Sequence, residues 1–123
     1  MPENRKPAIV LVDDEPMILT SIRTLLTLEI ECETESFTSP FEAVKFLEKN
    51  IVDLTISDYL MPGTTGTELA QQVKTRYPEL PVVLISGVNE IPSGAEVADA
   101  FLSKIEGPEK LCEQIAAVLS ERT

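Results

Sequence analysis

The sequence predicts an α/β fold, a doubly wound five-stranded parallel sheet with helices on both faces. Three observations carry this prediction. Short apolar runs rich in β-branched residues, Ala8 to Val12, Val52 to Ile56 and Pro81 to Ser86, recur along the chain. Each is too short and too β-branched for a helix. They read as buried strands, and burial on both faces is what a central strand of a parallel sheet requires. Between them lie segments with apolar residues at helical spacing, and such alternation implies parallel strands joined by right-handed crossovers.

The elements follow in order. Strand one, Ala8 to Val12, leads past Pro16 into a helix whose Ile18, Ile22, Leu25 and Leu26 repeat at helical spacing and face a sheet. CETESF, Cys32 to Phe37, alternates and is polar enough for an edge strand. Ser39-Pro40-Phe41-Glu42 has the pattern of a capping box with proline at the first helical position, which predicts a helix to about Asn50. A buried strand ends at Asp58, and the loop YLMPGTTG follows it. Thr65 to Glu68 is a second box pattern, opening a helix to about Tyr77. PVVLIS, Pro81 to Ser86, is a buried strand, and Ala100 to Ser103 a short one before Lys104. Gly107-Pro108 starts a last helix with Leu111, Ile115, Val118 and Leu119 inward. The residues before Pro7 and from Glu121 to Thr123 are expected to fray, leaving an ordered core of about 7–120 in one domain spanning 1–123.

Composition narrows the function. A formal net charge of −11 lacks the basic footprint that nucleic-acid binding needs and disfavours an anionic membrane surface. No apolar run approaches membrane-spanning length, and MPENRKP lacks a signal peptide's apolar stretch, so a cytoplasmic protein is expected. The sequence contains no histidine, which removes Ser-His-Asp and Cys-His catalysis and histidine metal sites together. Cys32 and Cys112 are far apart and show no metal spacing; small packing residues or reduced thiols fit them better than a disulfide.

The chemistry-bearing residues sit at strand ends: Asp13 and Asp14 after AIVLV, Asp58 after VDLTIS, then Ser86 and Lys104. If the first two of these strands are parallel neighbours, three carboxylates converge in the crevice where open α/β sheets bind ligands. Each aspartate taken singly could simply open a turn or cap a helix. Together they would repel one another, and an oxygen-loving cation such as Mg²⁺ removes that conflict. Carboxylates, a hydroxyl and an ammonium around a cation suit phosphoryl transfer, with one carboxylate able to act as nucleophile and form an acyl phosphate.

Four motifs in order, VDDEP at 12–16, SDYLMPGTTG at 57–66, LISG at 84–87 and FLSK at 101–104, closely resemble the receiver domain of bacterial two-component response regulators over essentially the whole chain. The resemblance implies a flavodoxin-like sheet of strand order 2-1-3-4-5. It implies that Asp58 accepts a phosphoryl group from a sensor histidine kinase or phosphotransfer protein. Asp14, Asp58 and the backbone carbonyl of Leu60 would hold Mg²⁺, with Asp13 assisting through a metal-bound water. Ser86 and Lys104 would each meet a phosphoryl oxygen, and Ser86 with Phe101 would form the switch. Gly63 and Gly66 are expected to serve the loop backbone and contact nothing chemical. Such a chain is a signalling phosphoacceptor that assists its own phosphorylation and dephosphorylation, not an enzyme, and is expected to be a monomer or weak dimer.

Two departures from the family pattern stand out. Ile105 follows Lys104 where proline is usual, and a cis bond there would cost roughly 3 kcal/mol, so a trans bond is expected. VNEIPSGAE, Val88 to Glu96, is short and carries Pro92 and Gly94, which predicts a shortened fourth helix of at most about one turn. Other readings fit less well. An aspartate-nucleophile phosphatase needs an acid two residues after the nucleophile, where Leu60 stands; a flavodoxin-like cofactor binder needs a phosphate-cradling loop where DDEPM stands. The intact acidic set argues against a receiver that works without phosphorylation. The cognate kinase and the output are not legible, nor whether the chain is a stand-alone regulator, a relay intermediate or part of a larger protein.

Overall fold

The computed structural model describes residues 6–61, 64–86, 98–103 and 107–122. Strands β1 (Ala8–Val12), β2 (Glu33–Phe37), β3 (Leu54–Asp58), β6 (Val82–Ser86) and β7 (Ala100–Ser103) form one sheet. Their spatial order is β2-β1-β3-β6-β7. Every neighbouring pair is parallel. Numbered among themselves, the five strands run 2-1-3-4-5, the flavodoxin-like arrangement expected. Two-residue strands β4 (Leu60–Met61) and β5 (Thr64–Thr65) pair antiparallel in the loop after β3. Helices α1 (Pro16–Glu29), α2 (Pro40–Lys49), α3 (Gly66–Arg76) and α4 (Pro108–Arg122) complete the described elements.

The double winding is visible in how β1 divides its side chains. Ile9 and Leu11 point to one face, where Leu19, Ile22 and Leu26 of α1 and Leu111, Cys112 and Ile115 of α4 pack on them. Val10 and Val12 point to the other, against Ala43 and Leu47 of α2 and Leu69, Ala70 and Val73 of α3. β3 and β6 are buried along their whole length; β3 carries Thr55, Ser57 and Asp58 there between its apolar residues, while β6 is a run of consecutive apolar side chains up to Ser86. Each such side chain contributes about 1.5–3 kcal/mol by leaving water. β2 alternates between exposed and half-buried positions, as an edge strand should.

Local physics moves several boundaries. β3 starts at Leu54, two residues later than Val52, because Asp53 is engaged elsewhere: its carboxylate accepts the Ala8 N–H at 2.7 Å and its own N–H donates to the Ala8 carbonyl at 2.8 Å. β2 starts at Glu33 and β6 at Val82. The capping box expected at Ser39 does not form, since Ser39 makes no side-chain cap hydrogen bond. Pro40 at the first helical position leaves one orphan N–H fewer, and the exposed start of α2, with Phe41 68% accessible, lets water serve the others. α4 is helical to Arg122, past the Glu121 at which a frayed end was expected. The shortened fourth helix and the Lys104–Ile105 bond lie outside the described residues.

Candidate functional site

β1 and β3 are parallel neighbours in register, with Val12 opposite Ser57. The residues that follow Val12 therefore emerge beside Asp58, the last residue of β3. One carboxylate oxygen from each of Asp13, Asp14 and Asp58 lies within 4.8 Å of the others. Asp13 and Asp58 are buried at 1% and 6% exposure, and Asp14 is exposed. Two like charges at that separation oppose each other by roughly 3 kcal/mol at an effective dielectric constant of about 20. Clustered hard oxygen donors at one mouth of the sheet, open to solvent through Asp14, fit an oxygen-preferring divalent cation such as Mg²⁺.

Asp13 also serves its own turn. Its Oδ1 accepts the Glu15 N–H at 2.9 Å, and its N–H donates to the Phe37 carbonyl at 3.1 Å, tying the loop to the end of β2. The turn reading thus holds for Asp13 alongside membership of the cluster. The capping reading does not hold for α1, whose N-cap is Glu15, without a side-chain cap bond and followed by Pro16.

Ser86 ends β6 one strand further along, 2% exposed, where Asp58 pairs with Ile85. Phe101 lies on β7 opposite Leu84, half-buried against the α2–α3 face of the core. Leu60 enters β4 directly after the acidic strand end, its backbone paired with Thr65. The structure therefore gathers the three aspartates and sets Ser86 on the adjoining strand. Lys104 lies outside the described residues.

Three neighbours of Asp58 carry more than their sequence shows. The Tyr59 N–H donates to the Ile85 carbonyl at 2.8 Å, and its ring meets Phe101 edge-on at 6.3 Å between centroids. Ser57 Oγ, fully buried, donates to the Asp58 carbonyl at 3.0 Å. Gly66 opens α3 with its N–H on the Tyr59 carbonyl at 2.7 Å. A Cβ on Gly66 would collide with the Asp58 carbonyl oxygen and stand 3.0 Å from Tyr59 Cα and 2.9 Å from a Leu84 methyl. Gly66 thus touches the backbone of Asp58, a contact with the loop backbone and not with a reacting group. Only the glycine at the head of a helix could have hinted at this; the contact itself is tertiary.

Residues 9–116 match the response regulator receiver domain family, and the chain belongs to it. It is a phosphoacceptor module of two-component signalling. Among proteins of known sequence it is 31% identical over 122 residues to the cyclic di-GMP phosphodiesterase response regulator RpfG of Xanthomonas campestris, covering 93% of this chain and 32% of that protein. Among solved structures it resembles a CheY-like receiver domain protein of Methanospirillum hungatei, at 26% identity and TM-score 0.84, covering 95% of this chain and 96% of that one. It also resembles the response regulator TrrA of Thermotoga maritima in complex with Mg²⁺ and BeF, at 26% identity and TM-score 0.82, covering 90% of this chain and 97% of that one. The chain spans between 19% and 55% of the length of the curated relatives it matches.

Proposed function

We propose that Asp58 is the residue that accepts the phosphoryl group. The observation that carries this is the convergence of Asp13, Asp14 and Asp58 at the strand ends, with Asp58 the last residue of its strand and buried. An Asp58 carboxylate oxygen attacks the phosphorus of a phosphohistidine on a sensor kinase or phosphotransfer protein. An O–P bond forms as the P–N bond breaks, and the leaving imidazole keeps the electron pair and takes a proton. Asp14, Asp58 and the Leu60 backbone carbonyl would hold Mg²⁺, with Asp13 acting through a water. The ion supplies neutralisation of the charge gathered by the carboxylates and the incoming phosphoryl group. Ser86 and Lys104 would each meet a phosphoryl oxygen, and Phe101 would report the event by changing its packing beside Tyr59.

The chain assists its own phosphorylation and dephosphorylation and turns over no separate substrate. In this reading it works in the cytoplasm as one domain over 1–123, as a monomer or weak dimer, without contacting nucleic acid itself. The net charge of −11 supports that last point. Among the described residues no helix is long and apolar enough to cross a membrane.

Acetyl phosphate with Mg²⁺, followed by intact mass measurement, should add one phosphoryl group to the wild-type chain and none to Asp58→Asn. An adduct that persists in Asp58→Asn would sink the assignment. Mg²⁺ alone should raise the melting temperature by relieving the carboxylate repulsion. An equal rise in Asp14→Ala would refute the metal site.

A further inference from the structure

We infer that Gly66 and Ser57 are positioning residues for the phosphoacceptor, holding the Asp58–Tyr59 peptide so that the Asp58 carboxylate is aimed into the acidic cluster. This rests on the reading of Asp58 as the phosphoacceptor.

Asp58 ends β3, and regular strand pairing ends with it. Its side chain starts from a backbone that the sheet holds on one side only, through the Asp58–Ile85 pairing and the Tyr59 N–H on the Ile85 carbonyl. On the other side the paired register with β1 stops at Ser57, so the Asp58 carbonyl lies beyond that pairing as the chain turns towards β4. Two groups supply what the ladder does not. Ser57 Oγ donates to the Asp58 carbonyl at 3.0 Å in a site with no solvent exposure, so no water stands ready to replace it. Gly66, itself buried, lays its Cα against the same carbonyl and returns its N–H to the Tyr59 carbonyl at 2.7 Å. The Asp58 carbonyl is thus held by a hydroxyl and a glycine Cα, and the next carbonyl along, that of Tyr59, by the Gly66 N–H.

The grip at Gly66 leaves no room for a side chain. A Cβ would meet two backbone atoms, the Asp58 carbonyl oxygen and Tyr59 Cα, and one side-chain atom of Leu84. The leucine can change rotamer. The backbone atoms can yield only if the Asp58–Tyr59 peptide or the start of α3 moves, and the Asp58 carboxylate turns with its peptide. A misplacement of about 1 Å at a reacting group costs roughly 100-fold in rate, so a displacement smaller than that suffices to be seen.

The test measures three quantities on each variant: melting temperature, Mg²⁺ affinity from the melting shift, and the rate of phosphorylation by acetyl phosphate at saturating Mg²⁺, well below the melting point. In Gly66→Ala the rate should fall by at least about tenfold in protein that remains folded. Adding Leu84→Ala removes the one yielding contact and should not restore the rate. Ser57→Ala, which introduces no bulk, should fold and slow the reaction roughly threefold. A wild-type rate in folded Gly66→Ala, or recovery in Gly66→Ala/Leu84→Ala, overturns the role of Gly66. If Gly66→Ala does not fold, Ser57→Ala decides, and an unchanged rate there overturns the inference. Should the wild-type chain itself take up no phosphoryl group at Asp58, the proposed function fails and this inference falls with it.

Discussion

Asp13 shows how one side chain can satisfy two demands, bracing its turn through the Glu15 N–H while standing in the carboxylate cluster. Aspartates of this kind were legible in the sequence because each follows an apolar run, and a run that ends in a carboxylate marks a strand mouth. Buried polar groups inside a run give no such signal. Thr55, in the middle of β3 and fully buried, has an Oγ1 with no hydrogen-bond partner among the described residues. Burying an unbonded hydroxyl costs about 1–3 kcal/mol, and valine has nearly the same shape. Thr55→Val should therefore stabilise the protein by about 1 kcal/mol, read as a higher urea midpoint at unchanged slope. A lower midpoint would mean that the hydroxyl has a bond worth keeping. The cysteines behave as the sequence reading held, both free, with Cys112 buried and Cys32 half-buried. Burial pushes both thiols above their ordinary range, and at Cys112 the nearby Glu29 and Cys32 add to it. Because the thiolate is the reactive form, iodoacetamide at pH 8 should react with both more slowly than with a free thiol, and with Cys32 before Cys112. Rates should climb only as pH passes above the usual thiol range; rapid labelling of Cys112 in folded protein would contradict this.

Element boundaries were harder to read than element identities, for a physical reason. The period of apolar residues reports which face of a segment is buried, while its ends depend on hydrogen bonds made to distant parts of the chain. The Ser39 pattern matched a capping box in sequence, yet α2 begins on proline with no side-chain cap bond. Ser39→Ala should accordingly cost less than about 0.5 kcal/mol, where a working cap costs about 1. A loss near the larger figure in a denaturation midpoint would restore the box. The opposite case is Asp99, which no local pattern distinguishes. Its carboxylate accepts the Val82 N–H at 2.8 Å and Lys74 Nζ at 3.0 Å, while its own N–H donates to the Val82 carbonyl at 2.8 Å. Lys74 Nζ also reaches the Leu80 carbonyl at 3.2 Å, so the end of α3, the turn before β6 and the start of β7 share one clip. Asp99→Ala leaves the Val82 N–H without its carboxylate and should cost about 1–3 kcal/mol. Lys74→Met removes only a partly exposed ion pair and a single carbonyl contact, and should cost about 1 kcal/mol or less. Equal losses would show that the ion pair, not the backbone bond, carries the clip.

At the scale of the whole molecule the fold and its charge act together. The parallel, doubly covered sheet and the acidic mouth followed from the alternation of elements and from where apolar runs stop, and the strand order from the resemblance to receiver domains. The residues that steady the mouth did not, because Tyr59 and Gly66 act through contacts that exist only once β3, β6 and α3 are assembled, and the local Ser57 bond leaves no mark in the residue pattern. Charge was legible from the start, and its consequence is kinetic. A chain of net charge −11 repels anionic phosphodonors, and its acidic cluster sits at the point of entry. In low salt the Debye length is about 30 Å, longer than the protein's radius, so the whole surface opposes the approach of acetyl phosphate; near 0.15 M it falls to about 8 Å and only local charges are felt. Raising NaCl from 10 to 150 mM, with Mg²⁺ held saturating throughout, should therefore speed phosphorylation by subsaturating acetyl phosphate roughly threefold or more. Phosphoramidate carries less negative charge and should show a shallower rise. The rate at saturating donor should stay level, because screening changes encounter and not the chemical step. A flat or falling response with subsaturating acetyl phosphate would show that the field at the mouth is already neutralised when the donor arrives, and that the global charge does not govern access to Asp58.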